Sequence, residues 1–146
     1  MADTTYFKNV VEPFIRGELA REFGVNFEKR NLPLITGGTH KFDAVSDDLQ
    51  VIGAIKISGG KTVSGKNPSG KIKGAEADIR LLTLVSAPTR LLILTFLEFF
   101  QIMEKQLSKR PVPGITLKLI ELPAEMRKKV EEIQREASKE VSGPSK

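Results

Sequence analysis

The chain has 146 residues, 28% of them charged, and its 23 lysines and arginines against 18 acids leave a net charge of +5. That is the length of one domain, able to bury roughly 68–70% of its unfolded surface, and its basic excess mildly favours an anionic partner. With no cysteine and one histidine, His40, it excludes disulfides, thiol nucleophiles, cysteine-bound zinc and a multi-histidine metal site within one chain, so any catalysis falls to carboxylates, lysines and a divalent cation on oxygen ligands.

In chain order, residues 5–23 carry Phe7, Val10, Val11, Phe14, Ile15, Leu19 and Phe23 at helical spacing, with Gly24 as a stop signal and Pro13 inside the pattern. Residues 32–35 are a short strand candidate before Thr36-Gly37-Gly38. Residues 40–46 and 51–58 are rich in apolar and β-branched residues, and Asp47-Asp48 supplies turn chemistry between them, which predicts a β-hairpin. A Gly/Ser-rich loop follows, and from Lys56 through Lys61, Lys66, Lys71 and Lys73 it contains no acid. The spacing predicts helices over 71–85 and 99–107 and a buried, almost wholly apolar strand over 90–97. Pro111 to Gly114 is a turn, 115–122 alternates as a last strand, and 123–141 is a charged helix with its apolar stripe at Met126, Val130, Ile133, Ala137 and Val141, suited to packing or to a dimer seam. Residues 142–146 are expected to be a disordered tail, and no internal repeat is present. The first residues lack the basic and apolar regions of a signal peptide. The longest largely apolar run, 91–97, is too short to span a bilayer. A soluble, cytoplasmic, single-domain α/β protein with a mixed central sheet flanked by helices is expected.

Two residues in the hairpin are out of character. Asp is depleted in strands, yet Asp43 sits in the first, and Lys56 sits in the hydrophobic second strand. If the loop is the four residues 47–50, Ser46 opposes Val51 and Asp43 opposes Ala54. Asp43, Ala54 and Lys56 then project to one side, with Asp43 and Lys56 a diagonal step of roughly 7–8 Å apart. A loop one residue longer or shorter reverses the parity.

A helix, an antiparallel meander with Asp43 on one strand and Ala54-Ile55-Lys56 on the next, then a helix and a strand resembles the PD-(D/E)xK restriction-endonuclease-like superfamily over residues 5–97. The resemblance implies a restriction-endonuclease-like core with an added C-terminal strand and helix. It also implies Mg²⁺-dependent cleavage of phosphodiester bonds by an Asp, an acid two residues before a Lys, and that Lys. Asp43 matches the first acid and Lys56 the lysine; Glu12 or Glu18 matches a first-helix Glu that often assists. Position 54 departs from the pattern, because Ala54 stands where the acid belongs. Some members draw that carboxylate from the next helix, where Glu76 and Asp78 are placed to serve.

The expected site therefore has Asp43, Lys56 and Glu76 as catalytic residues, Asp43, Glu76 and Glu12 as Mg²⁺ ligands, and Lys61, Lys66, Lys71 and Lys73 as phosphate contacts. Nucleic acid, DNA before RNA, is the expected partner, with a homodimer or larger assembly to aid target recognition and no membrane. Nuclease activity is expected to be weak or absent. Two alternatives stand beside it: a nuclease-like module that binds or assembles without cutting, and a scaffold whose lysine loop docks an acidic protein. At each acid there is also a plain structural reading, since Glu12–Arg16 and Glu76–Arg80 are ordinary i,i+4 pairs.

Overall fold

In the computed structural model, which describes residues 5–57 and 69–141, five strands form one mixed sheet in the order β1-β2-β3-β4-β5. The strands are β1 (Phe27–Pro33), β2 (Thr39–Ser46), β3 (Val51–Lys56), β4 (Thr89–Leu94) and β5 (Ile115–Leu119). The first three form an antiparallel meander, and β3, β4 and β5 run parallel. The parallel connections are helices, α2 (Ser69–Thr83) and α3 (Leu97–Lys109), as parallel neighbours require. Helices α1 (Glu12–Phe23) and α4 (Ala124–Val141) complete the order. This is the expected mixed α/β domain.

Two cores form, one on each face. Ala75, Ile79 and Leu82 of α2 and Phe99 and Met103 of α3 pack on Phe42, Val45, Ile52, Ala54, Leu92 and Leu94. Val11, Ile15 and Leu19 on the α1 side and Val130 of α4 pack on Phe27, Ala44, Val51, Ile55, Leu91 and Ile93. The apolar stretch of β4 thus alternates between the two cores. On α4, Val130 joins the α1-side core and Ile133 is buried, and Gln134 Nε2 donates to Ile57 O at 2.7 Å at the end of β3.

The hairpin loop has the expected four residues. Ser46 Oγ donates to Asp48 Oδ1 at 2.7 Å and accepts from Val51 N at 2.9 Å, while Asp48 Oδ1 also accepts from Gln50 N at 3.1 Å. These bonds fix the register at Ala44↔Gly53 and Val45↔Ile52, the register that a four-residue loop predicts.

Three local features depart from the sequence reading. Strand β1 starts at Phe27 rather than 32, because its charged stretch Glu28-Lys29-Arg30 lies on a sheet edge and masks the strand pattern. The first helix contains a π-helical segment, Phe7–Val11, in which Glu12 N donates to Phe7 O, immediately before Pro13. A wider turn there accommodates a proline that offers no N–H and crowds the preceding turn. Strand β2 has a bulge: Glu28 pairs with Val45 and Arg30 with Phe42, so Asp43 and Ala44 together face Lys29. Residues 58–68, with Lys61 and Lys66, and the tail 142–146 fall outside the described residues.

Candidate functional site

Glu12 follows the π segment at the start of α1, Asp43 sits in the β2 bulge, and the charge of Glu12 acts on Asp43. Regular alternation would send Asp43 to one face of the sheet. The bulge breaks it: Phe42 and Val45 join the α2/α3 core while Ala44 joins the α1 core. Asp43 Oδ2 accepts a hydrogen bond from Ile55 N at 2.9 Å. A strand N–H points within the sheet plane, so the Asp43 carboxylate lies between β2 and β3, just beyond the paired Ala44 and Gly53. The expectation of Asp43 on the same face as Lys56 is not met, because the bulge turns the Asp43 carboxylate into the seam of β2 and β3, whereas Ala54 and Lys56 share the α2 face.

Its surroundings are charged. Burial is the main influence raising the Asp43 pKa; the Ile55 hydrogen bond opposes it, Glu12 adds to it, Lys29 opposes it and Asp78 adds to it. Asp43 thus feels acids from both helical layers. On the α1 side, Arg16 Nη1 donates to the Asp43 carbonyl at 2.9 Å and stands 3.7 Å from Glu12 Oε1. Lys29 Nζ lies 3.3 Å from the same oxygen. That oxygen is shut off from solvent and has no hydrogen-bond partner; Lys29 is within ion-pair range but out of line for a hydrogen bond.

On the α2 side, Lys56 Nζ pairs with Asp78 Oδ2 at 2.9 Å, both side chains about three-quarters buried. One turn earlier on α2, a Cβ at Gly74 would stand 3.7 Å from Lys56 Nζ, so the helix runs close over the lysine. Two positions apart on a helix project about 160° from each other, so only one of Glu76 and Asp78 can face β3. It is Asp78. Glu76 is exposed and lines a groove of about 380 Å³ with Ile79, Arg80, Leu107, Arg110 and Val112, which corrects its expected place beside Asp43. Glu18 is likewise engaged elsewhere, 2.7 Å from Arg21. Lys71 and Lys73 are exposed at the start of α2.

The structure pairs Lys56 with Asp78, places Glu12, Lys29 and Asp78 within electrostatic reach of Asp43, and sets Arg16 against the Asp43 carbonyl; Lys29 and Arg16 were not expected as site residues. Among the described residues no three acidic or histidine side chains stand close enough to enclose a metal ion. Mg²⁺ needs no such cage, since it commonly rests on one or two carboxylates, waters and substrate phosphates. The buried, undirected oxygen of Glu12 and the acids crowding Asp43 suit a cation of that kind.

No family model, curated protein or solved structure matches this chain. Among the described residues no helix is long and apolar enough to cross a membrane.

Proposed function

We propose that this chain engages nucleic acid, DNA in preference to RNA, at the seam of β2 and β3, as a divalent-metal-dependent phosphodiesterase of restriction-endonuclease-like design. The observation that carries the reading is the place of Asp78. It lies against Lys56 on the face that Ala54 shares and acts electrostatically on Asp43. It thus offers from α2 the carboxylate that position 54 lacks.

Asp43 would hold Mg²⁺, with Asp78 of α2 or Glu12 of α1 as the second carboxylate. A bound ion would supply Lewis-acid polarisation of a phosphoryl oxygen. Lys56 orients the attacking water or stands opposite the charge that develops on phosphorus oxygens. The bulge and the Ile55 N–H fix the Asp43 carboxylate, and the Arg16 bond to its carbonyl holds the strand. Lys71 and Lys73, with Lys61 and Lys66, contribute charge along the phosphate backbone.

The test is cleavage of single- and double-stranded DNA and RNA with Mg²⁺ or Mn²⁺ against EDTA. Metal-dependent cutting that is lost in Asp43→Ala, strongly reduced in Asp78→Asn and kept in Glu76→Ala supports the reading. Cutting unaffected by Asp43→Ala overturns it.

A second reading, a nuclease-like module that binds without cutting, is favoured by one observation: Asp78 already neutralises Lys56. Salt-sensitive binding with no cleavage under any cation would select it.

A further inference from the structure

Glu12 is an anomaly in this site. Its Oε1 is inaccessible to solvent and receives no directed hydrogen bond. An unsatisfied buried carboxylate oxygen is costly. Arg16, the ordinary i,i+4 partner, is 3.7 Å away and has its Nη1 committed to the Asp43 carbonyl. The nearest cation is Lys29, at 3.3 Å and out of line. Lys29 is also the residue that faces the Asp43-Ala44 bulge from β1, and its charge acts on Asp43. One ammonium therefore serves two carboxylates, without the hydrogen-bond geometry that would lock it to either. A non-directional positive charge between acids is what a metal ion supplies.

We propose that Lys29 is a resident cation that holds the Glu12–Asp43 pair together in the metal-free protein and competes with the divalent ion for it. This rests on the reading of the site as a cation site, and it adds a control on when that site fills. Lys29 has four rotatable side-chain bonds and is partly solvent-exposed, so it is free to leave. A divalent ion must displace it. An incoming phosphate, being anionic, gives the displaced ammonium a new partner, so metal and nucleic acid favour each other's binding.

The experiment is thermal unfolding of the full chain in EDTA and across a Mn²⁺ titration, for the parent, Lys29→Met, Lys29→Gln and Lys29→Arg. Lys29→Met and Lys29→Gln should melt lower than the parent in EDTA. Mn²⁺ should restore them, with a half-effective concentration at least tenfold below the parent's. Lys29→Arg keeps the charge and should follow the parent. Adding Asp43→Ala to Lys29→Gln should abolish the gain. A variant that folds only with Mn²⁺ supports the proposal as well. It is overturned if the neutral variants respond to Mn²⁺ no more tightly than the parent, if no protein responds, or if neither neutral variant folds with Mn²⁺ present. A tighter response without cleavage of any nucleic acid overturns the nuclease reading and leaves the role of Lys29 standing. Asp43-dependent cleavage by the parent, with an unchanged Mn²⁺ response in the neutral variants, does the reverse.

Discussion

Asp78 Oδ2 lies 2.9 Å from Lys56 Nζ, so an acid and the lysine stand together even though Ala54, two residues before the lysine, carries no charge. Position 54 is 5% exposed and belongs to the core shared with α2. An acid at 54 and an acid at 78 would therefore approach the same lysine from strand and helix.

The two positions should be exchangeable. Asp78→Asn should lower any cleavage strongly, and Lys56→Met should cost about 10²–10³-fold if the ammonium stabilises developing charge. Ala54→Glu in the Asp78→Asn background should recover part of the loss. Ala54→Glu alone should tighten cation binding, at some cost in stability because a carboxylate enters a buried position. Cleavage rates and cation titrations on the four proteins check this. Failure of the double variant to exceed Asp78→Asn would show that the acids are not equivalent.

Much of the site could be read from the sequence because turn chemistry sets strand register. Ser46 and Asp48 build the four-residue loop, and the loop sets the Ala44↔Gly53 register next to Asp43. The rest depended on tertiary packing. The bulge at Asp43-Ala44 and the π turn before Pro13 leave no periodic trace. The flank of α2 that faces β3 is set by how the crossover helix lies on the sheet, and this separates Asp78 from Glu76. Lys29 was hidden because an edge strand tolerates charged residues, which reads as loop.

Two acids of the hairpin should respond to pH in opposite directions. Asp43 has its pKa raised, first by burial, so the folded state binds its proton more readily than the unfolded chain. Its ionisation costs stability as pH rises through the folded value, and that cost fades as pH falls toward the ordinary carboxylate range. Asp48 has its pKa lowered, chiefly by the Ser46 hydroxyl and then by Gln50 N–H. Its contribution is present above the ordinary range and is lost as pH falls through the folded value. Denaturant unfolding in EDTA should therefore show Asp43→Asn gaining on the parent as pH rises from acid to neutral, and Asp48→Asn losing ground over the same rise. Equal pH dependence in parent and Asp43→Asn would contradict the buried environment of Asp43.

At Gly53 packing, rather than backbone angle, limits what a side chain can occupy. A Cβ there would stand 2.8 Å from Ile93 Cδ1, and Ile93 is fully buried. Gly53→Ala should destabilise by about 1–3 kcal/mol through overpacking. Ile93→Val removes the clashing atom and alone should cost about 0.5–1.5 kcal/mol. The double variant should cost less than the sum of the two. Urea unfolding of the three proteins measures this coupling, and strict additivity would place the strain elsewhere.

The lysines around the start of α2 should reveal themselves through salt. Lys71 and Lys73 are exposed there, and Lys61 and Lys66 precede them in a stretch without acids. Each phosphate neutralised in duplex DNA adds about 0.9 to the negative slope of log K against log salt. If all four lysines contact phosphates, changing them together to glutamine should reduce that slope by about 3–4 and weaken binding to unrelated sequences equally. Asp78→Asn provides the internal contrast, because it removes a negative charge next to Lys56. Without Mg²⁺ it should strengthen binding and steepen the slope, since Lys56 is then free to meet a phosphate. Fluorescence anisotropy across a salt series, in EDTA, separates these effects. A quadruple variant with the parent's slope would exclude the lysine stretch as the phosphate contact and leave only the seam of β2 and β3 for nucleic acid to occupy.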